Sequence, residues 1–154
     1  MEEFKLALRD LVYPVCIISG KDSKDNCYAI TISSVTSVSF DPPSILACIN
    51  KDSLFSQILV EDHELNLSFL KSNQKEIANI CSLNKERFDN NFWNYESNTP
   101  FITDAQSAIT TKISKIFDHG THKIIIMNVK KVIYKNNKID PLLYGNQKYL
   151  NINS

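Results

Sequence analysis

The sequence has only three glycines among its 154 residues. None of them forms the GxGxxG pattern with which a dinucleotide-binding fold holds a pyrophosphate, and two, Gly20 and Gly145, are predicted to lie in turns. A phosphate loop is absent as well. The sequence therefore does not predict a Rossmann fold.

An excess of charge of one sign is also absent. The 17 Lys and Arg balance the 17 Asp and Glu, so the formal net charge is zero, and Arg occurs only at positions 9 and 87. This balance argues against nucleic acid or an anionic membrane surface as a partner. No apolar run approaches the ~20 residues that span a bilayer, and the N-terminus is acidic and amphipathic. We therefore expect a soluble cytoplasmic protein.

The cysteines and histidines do not form a recognisable metal site. Four cysteines are spread along the chain without a CxxC pair and are interpreted as small core residues in a reducing compartment; they are Cys16, Cys27, Cys48 and Cys81. His119 and His122 have a spacing that occurs in metal sites, but only Asp118 stands near them as a further ligand. The sequence predicts no bound metal.

Apolar periodicity and turn residues divide the chain mainly into strands. A short helix is predicted at 2–12, a second helix after Ser53 as its N-cap, and a third from Asn73 to about Leu83. The predicted strands are 15–19, 28–34, 44–50, 65–70, 108–117 and 123–134, followed by a last strand or extended tail at 142–150. The segment 84–100, rich in Asn and aromatics without a clear period, is predicted to be a long loop.

This element order lacks the alternation of strand and helix that builds a parallel sheet, and it contains no internal repeat. The prediction is a mainly β fold, an antiparallel barrel or sandwich with peripheral helices. A chain of 154 residues is long enough for one core, so residues 1–154 are expected to form a single domain.

The segment 31–43, TISSVTSVSFDPP, contains six hydroxyl residues in an uncharged extended run. Such a run can present hydroxyls and backbone N–H groups to a flat polar ligand. It also occurs in ordinary edge strands, where Ser and Thr satisfy the backbone or face water. The segment alone leaves both interpretations open.

Several ordered segments together resemble the flavin reductase family of FMN-binding split barrels, the reductase partners of two-component monooxygenases. FKLALRDLVYPVCIIS is similar to the opening helix and strand of that family, AITISSVTSVSFDPP to its flavin-binding signature, and SILACINKDSLFSQI to the strand and Ser-capped helix that follow. LNLSFL, ERF, GTHKIIIMNV and DPLLYGNQKY come next in the same order. The resemblance implies an antiparallel split barrel that binds FMN, or FAD, and forms a homodimer.

The resemblance also implies roles for single residues, none of them catalytic. Thr31, Ser33 and Ser34 would line the isoalloxazine, with Ser37 and Val38 close by. Asn50, Lys51 and Ser53 would hold the ribityl and phosphate end, where the Lys51 cation and the N-terminus of a helix suit an anion. The remaining residues implied are Asn66, Arg87 and Phe88 beside the flavin, and His122 and Tyr149 near the nicotinamide.

The implied activity is an NAD(P)H-dependent flavin reductase in which a hydride passes from NADH or NADPH to the flavin, and a partner monooxygenase uses the reduced flavin. Three positions depart from the family pattern, namely Ala29, Thr121 and Met127. Thr121 stands where the family has an Asp before its pocket histidine. Thr121 and Met127 favour the main alternative, a flavin-binding or electron-carrying split barrel that is not an enzyme.

The sequence also allows two other interpretations of this protein. A cofactor-free dimeric interaction module would leave the hydroxyl run structural, and a relative of the pyridoxamine-phosphate oxidases would share the fold. Arg87 would then only pair with a surface acid, and His122 would only end a strand. The aromatic group around Trp93, which includes Phe88, Phe92 and Tyr95, is predicted to be buried in a subunit contact.

Overall fold

The computed structural model describes residues 1–83, 88–135 and 138–152, without the side chains of residues 134 and 135. Its helices are α1 (Glu2–Arg9) and α2 (Lys75–Ser82), with two 3-10 helices at Leu54–Ile58 and Ser72–Gln74. The strands are β1 (Val12–Pro14), β2 (Cys16–Lys21), β3 (Cys27–Ile32), β4 (Val35–Phe40), β5 (Pro43–Asn50), β6 (Glu64–Phe69), β7 (Trp93–Glu96), β8 (Thr99–Ile102), β9 (Ser107–His119), β10 (His122–Lys135), β11 (Leu143–Gly145) and β12 (Lys148–Leu150). The prediction of a mainly β fold with peripheral helices is confirmed.

Seven strands form the main sheet in the order β3-β2-β6-β9-β10-β5-β4, and every neighbouring pair is antiparallel. The edge strands β3 and β4 follow each other in the chain, with only Ser33 and Ser34 between them. Three residue steps span at most about 11 Å, whereas the edges of a flat seven-stranded sheet lie roughly 29 Å apart. The sheet must therefore curl until its edges nearly meet, which makes it a split barrel.

The curled sheet has apolar side chains on both faces. Inside the barrel, Cys16 and Ile18 of β2 pack with residues such as Ile49 and Leu67. On the outer face, Val15 and Ile17 pack under α2 and the β7–β8 hairpin. Because β2 is buried on both faces, its sequence is a continuous apolar run instead of an alternating one. Burial also raises the pKa of the Cys16 thiol, which keeps this cysteine protonated and unreactive.

The predicted loop at 84–100 is wrong for its second half. The structure has the hairpin β7–β8 there, and its Ser97-Asn98 turn adopts positive φ angles of 46° and 68°. Strands of four residues are too short to show a clear period, whereas Asn is among the residues that tolerate such a turn. Residues 84–87, which include Arg87, lie outside the described residues.

Both ends of the chain also differ from the prediction. Helix α1 ends at Arg9 instead of residue 12, and none of its residues is buried. Val12–Pro14 instead forms β1, which pairs with β11. The predicted last strand at 142–150 is the hairpin β11–β12, whose turn residues Asn146 and Gln147 have φ angles of 45° and 62°.

The helix predicted from Asn73 also begins differently. Lys71 and Gln74 cap a 3-10 turn at Ser72–Gln74, and α2 follows from Lys75. Ala78 and Cys81 are the buried residues of α2, whereas the predicted Ile77 and Ile80 are half-buried. A small residue on the inner face lets α2 lie close to β3.

Glycine positions were only partly predicted. Gly20 lies inside β2 instead of a turn, and a Cβ at this position would stand 2.5 Å from Leu65 Cδ2. Gly145 likewise ends β11. Gly120, between β9 and β10, occupies the turn with a positive φ of 52°.

Within the described ranges, no helix is long and apolar enough to cross a membrane.

Candidate functional site

Two adjoining cavities lie at the open edge of the barrel. The first, called here the hydroxyl cavity, has a volume of about 320 Å³ and is lined by Val15, Thr31, Ile32, Ser33, Ser82, Tyr144 and Tyr149. The second, called the Arg9 cavity, has a volume of about 310 Å³ and is lined by Lys5, Leu8, Arg9, Leu11, Tyr13, Ser33, Tyr144, Gly145, Asn146 and Gln147. Ser33 and Tyr144 line both cavities, so the two adjoin at these residues.

The hydroxyls at the end of β3 have different partners. Thr31 Oγ1 donates a hydrogen bond of 2.7 Å to the carbonyl of Ala78 in α2, which fixes the helix against the strand. Ser33 lies between the cavities, and its hydroxyl has no hydrogen-bond partner among residues 1–83, 88–135 and 138–152. Of the Ser and Thr side chains in this cavity wall, Ser33 is therefore the one with its hydroxyl available for a ligand.

Ser34 is bound to the barrel itself. Its Oγ donates to the carbonyl of Cys48 at 2.8 Å and accepts from the N–H of Cys48 at 3.1 Å. The β4–β5 ladder reaches only to Val35 opposite Ala47, so the hydroxyl satisfies the next backbone groups of β5. Ser34 thus extends the ladder by one position with a side chain, and its contact with the isoalloxazine stays a prediction.

A turn at residues 50–53, called here the Lys51 turn, follows β5. Asn50 Oδ1 accepts from the N–H of Asp52 at 2.9 Å, and Ser53 Oγ donates to the carbonyl of Asn50 at 2.7 Å. The N–H of Lys51 donates to the carbonyl of Thr121 at 3.0 Å. These bonds hold the turn in one conformation. The turn therefore keeps Asn50, Lys51 and Ser53 close together, and their contact with the ribityl and phosphate end stays a prediction.

The helix predicted after Ser53 is a 3-10 helix of five residues. Ser53 is its N-cap and accepts from the N–H of Ser56 at 3.2 Å. A helix this short has few aligned peptide dipoles, so its N-terminus attracts an anion only weakly. The Lys51 ammonium is the main positive charge of the turn. It lies 3.6 Å from the carboxylate of Asp118, an exposed contact that water screens.

The two residues predicted near the nicotinamide lie in different places. His122 is exposed, pairs with Asn50 across β10 and β5, and has its Nδ1 2.8 Å from Thr121 Oγ1. Thr121 thus contacts the ring that an Asp accompanies in the family. Tyr149 lines the hydroxyl cavity instead, and its ring packs edge-on against Tyr144 with centroids 5.6 Å apart.

Burial raises the pKa of Tyr149, and the neighbouring Tyr144 adds to the effect. Its phenol is therefore expected to stay a hydrogen-bond donor at a pH where exposed tyrosines have ionised. The absorbance of tyrosinate at 295 nm, followed from pH 8 to pH 13, should lose a late-titrating component in a Tyr149→Phe variant, whereas the pKa of Tyr95, which burial also raises, should stay unchanged. Loss of an early component instead would contradict this expectation.

The other predicted residues lie away from the two cavities. Ser37 and Val38 are exposed on the edge strand β4. Asn66 is fully buried, and its Nδ2 donates to the carbonyls of Thr99 and Pro100 in the hairpin above it. Phe88 stacks on Trp93 at 4.6 Å, and both pack on the outer core. The flavin contacts of these residues, and of Arg87, stay predictions.

Sequence reasoning missed Tyr144 and Ser82 as cavity residues. Tyr144 and Tyr149 are directly opposite in the β11–β12 hairpin. The pattern of two tyrosines flanking a Gly-Asn-Gln turn predicts this pairing once a hairpin is assumed, but the segment was interpreted as a single strand. Ser82 has no comparable signal, because only the packing of α2 on β3 brings it to the cavity.

The side chains of this region fit FMN by the chemistry of their donors. Ser33 offers a hydroxyl to a flat polar ring, the tyrosines offer faces for stacking, and Lys51 offers a cation to a phosphate. The same region does not fit a metal. Among the described residues, no group of three or more His, Cys, Asp or Glu side chains is placed to hold one.

Comparison with known proteins identifies the family of this chain. Residues 8–153 match the family of flavin reductase like domains. The reductase component of the FADH2-dependent resorcinol hydroxylase of a Rhizobium species is 26% identical over 155 residues, covering 96% of this chain and 85% of that protein. The NADH-dependent FMN reductase RutF of Pseudomonas syringae is 27% identical over 150 residues, covering 95% and 83%.

A solved structure supports the same assignment. The crystal structure assigned as a flavin reductase of Haemophilus somnus superposes with a TM-score of 0.90 at 27% identity, over 99% of both chains. The resemblance that the sequence motifs indicated is confirmed. This chain belongs to the flavin reductase like domain family.

Proposed function

We propose that the protein is an NAD(P)H-dependent flavin reductase that supplies reduced flavin to a partner monooxygenase. Its relatives are named as NADH-dependent FMN reductases and as reductase components of hydroxylases and monooxygenases. The structural observation on which this proposal mainly depends is the position of Ser33. Its hydroxyl stands between two adjoining cavities, and the neighbouring Ser34 is bonded to Cys48 on the strand that precedes the Lys51 turn.

Ser34 is the link between the ring site and the phosphate site in this proposal. Cys48, to which Ser34 is bonded, lies two residues before Asn50 on β5. Alternate residues of a strand are about 6.6 Å apart. An FMN with its ring at Ser33 and its phosphate at Lys51 would therefore lie along this edge of the barrel.

The chemistry that bound FMN supplies is acceptance of a hydride, at its N5 atom, from C4 of the nicotinamide. The protein then needs few reacting side chains. Ser33 and backbone N–H groups of 31–34 donate toward the ring, Lys51 holds the phosphate, and the half-buried Tyr149 with the more exposed Tyr144 forms one wall beside the ring. His122, near the Lys51 turn, is proposed to meet the nicotinamide nucleotide from the opposite side.

The test is anaerobic mixing of the purified protein with FMN and with NADH or NADPH. We expect the flavin absorbance near 450 nm to bleach while the nicotinamide absorbance at 340 nm falls by the same number of equivalents. Tight FMN binding without bleaching by either nucleotide would instead establish the flavin carrier, the interpretation that Thr121 and Met127 favour. A protein that binds no FMN would overturn both.

We further propose that residues 1–154 form a single cytoplasmic domain that functions as a homodimer. Exposed apolar side chains support a dimer, and they include Tyr95 of the predicted aromatic group, which is 48% exposed. Trp93 packs on the outer core of its own chain, whereas Phe40 of β4 is 93% exposed. The apolar residues of α1 are also exposed. Sedimentation velocity at micromolar concentration would distinguish a dimer from a monomer.

A further inference from the structure

The Arg9 cavity has no role in holding FMN as described above. It lies between α1, the start of β1 and the turn of the β11–β12 hairpin. It adjoins the hydroxyl cavity at Ser33 and Tyr144, so a ligand long enough to pass these two side chains would reach both cavities. Its walls combine an arginine, two tyrosine rings and the side chains of Leu8 and Leu11.

The contacts of Arg9 do not neutralise its positive charge. With the Gln147 amide turned so that its oxygen faces the guanidinium, that oxygen accepts from Arg9 Nε at 2.9 Å and from Nη2 at 2.8 Å. The amide is neutral, and none of the carboxylates in the described ranges pairs with Arg9. Lys5, the other cation in the wall, is already paired with Glu2 at 2.8 Å.

The hairpin holds this arrangement in place. The N–H of Asn146 donates to the carbonyl of Arg9 at 3.1 Å, which ties the C-terminus of α1 to the turn. The Gln147 amide then restrains the guanidinium from the same turn. A planar guanidinium held by its Nε edge keeps further N–H donors for a ligand, and this fork geometry matches a phosphate group.

The class of ligand that the Arg9 cavity binds can be inferred by comparing the number of anion sites with the single phosphate of FMN. FMN has one phosphate, and the Lys51 turn, reached through Ser34 and Cys48, is proposed to hold it. Arg9 is a second anion site beyond Ser33. A ligand that starts at the hydroxyl cavity and reaches Arg9 must therefore have a phosphate of its own, and the tyrosine and leucine walls suit an attached aromatic base.

We infer that the Arg9 cavity binds the adenylate half of the reduced nicotinamide dinucleotide, with the Arg9 guanidinium on its pyrophosphate. The inference rests on the proposed function and adds the place where the hydride donor is recognised. Tyr13 and Tyr144 flank the adenine, and Gln147 positions Arg9. Because the cavity is open to solvent, water screens the contact and its contribution to affinity is modest.

The first measurement is the binding of ADP, a probe that has the adenylate and pyrophosphate but no nicotinamide. Isothermal titration calorimetry on the full chain should give a Kd for ADP that rises roughly three- to tenfold in Arg9→Met, as the loss of a screened charge-assisted contact predicts. Lys148→Met, which removes an exposed cation next to Gln147 but outside the cavity, should leave this Kd unchanged.

Steady-state kinetics on the same proteins gives the second readout. In Arg9→Met the KM for NADH should rise by the same factor as the Kd for ADP, with kcat and the Kd for FMN unchanged. Equal ADP and NADH constants in Arg9→Met and the wild type would overturn the inference. A variant that loses only affinity for FAD would also overturn it, because the adenylate would then belong to the flavin.

The two proposals fail in different ways. If the wild-type protein reduces no flavin with any nicotinamide nucleotide, the proposed function fails, while the calorimetry still reports whether Arg9 binds an adenylate. If the wild type reduces FMN and Arg9→Met behaves identically in both assays, only the Arg9 site fails.

Discussion

Replacing Asn66 by Asp should lower the free energy of unfolding by about 3–5 kcal/mol. Asn66 is fully buried, and its Nδ2 donates to Thr99 O at 2.9 Å and Pro100 O at 3.2 Å. Its Oδ1 has no hydrogen-bond partner within the described ranges. The aspartate would therefore put a carboxylate oxygen against two carbonyl oxygens, with no donor to compensate for its lost hydration.

Urea unfolding followed by tryptophan fluorescence measures this loss, because Trp93 lies in the hairpin that Asn66 anchors. The melting temperature should fall by roughly 10 °C. Asn94→Asp is the matched control, since this exposed asparagine accepts a hydrogen bond with its Oδ1, which an aspartate retains. An Asn66→Asp protein as stable as the Asn94→Asp protein would contradict the burial of this side chain.

The same pair of variants tests the predicted flavin contact of Asn66. If this residue acts only through the hairpin, FMN affinity at a temperature where the variant is folded should stay close to that of the wild type. A large loss of FMN affinity in a folded Asn66→Asp protein would instead support a direct contact. The second outcome would mean that the hairpin moves to expose Asn66.

Replacing Ser33 by Leu should abolish flavin reduction while the protein remains folded. The side chain at 33 lines both cavities, so a leucine would occupy the passage where the flavin ring and the nicotinamide are proposed to meet. The hydroxyl that is lost has no partner in the described part of the chain, so little stability is expected to go with it. We expect the rate of FMN reduction to fall by more than about 100-fold, a barrier increase of about 2.7 kcal/mol.

Two milder variants separate the causes. Ser33→Ala removes the hydroxyl without filling the cavity and should weaken FMN binding by about 1 kcal/mol. Ser34→Ala removes the two bonds to Cys48 and should reduce stability by about 1–2 kcal/mol. If Ser33→Leu reduces FMN at the wild-type rate, the reaction does not take place between these cavities, and the assignment of the site is wrong.

Much of the fold could be predicted because the residues that determine each strand lie next to each other in the sequence. Alternation and turn residues located β2, β3, β5, β6, β9 and β10 to within a few residues. The hairpin β7–β8 was missed because strands of four residues contain too few positions to reveal a period. Helix α1 was predicted too long, because pairing of Val12 with Gly145 is a contact between distant parts of the chain.

The candidate site was predicted less completely, for a related reason. The hydroxyl run indicated a segment that lines the two cavities, but Thr31, Ser33 and Ser34 look equivalent in the sequence. Their roles differ because Thr31 is bonded to Ala78 and Ser34 to Cys48, whereas Ser33 faces a cavity. These contacts depend on residues that are distant in the sequence. A motif gives the residue types near a ligand, whereas tertiary contacts decide which of those side chains has a hydrogen bond to offer.

The two-residue connection between β3 and β4 has a consequence for the dynamics of the protein. Beyond Val35 this connection is held to β5 by the side-chain bonds of Ser34 to Cys48 in place of a continuous backbone ladder. Local separation of the connection from β5 should therefore require less free energy than opening elsewhere in the sheet. A ligand bound to both the connection and β5 would favour the closed state by mass action. Ligand binding and closure at this point are then one equilibrium, and the occupied protein is the more rigid one.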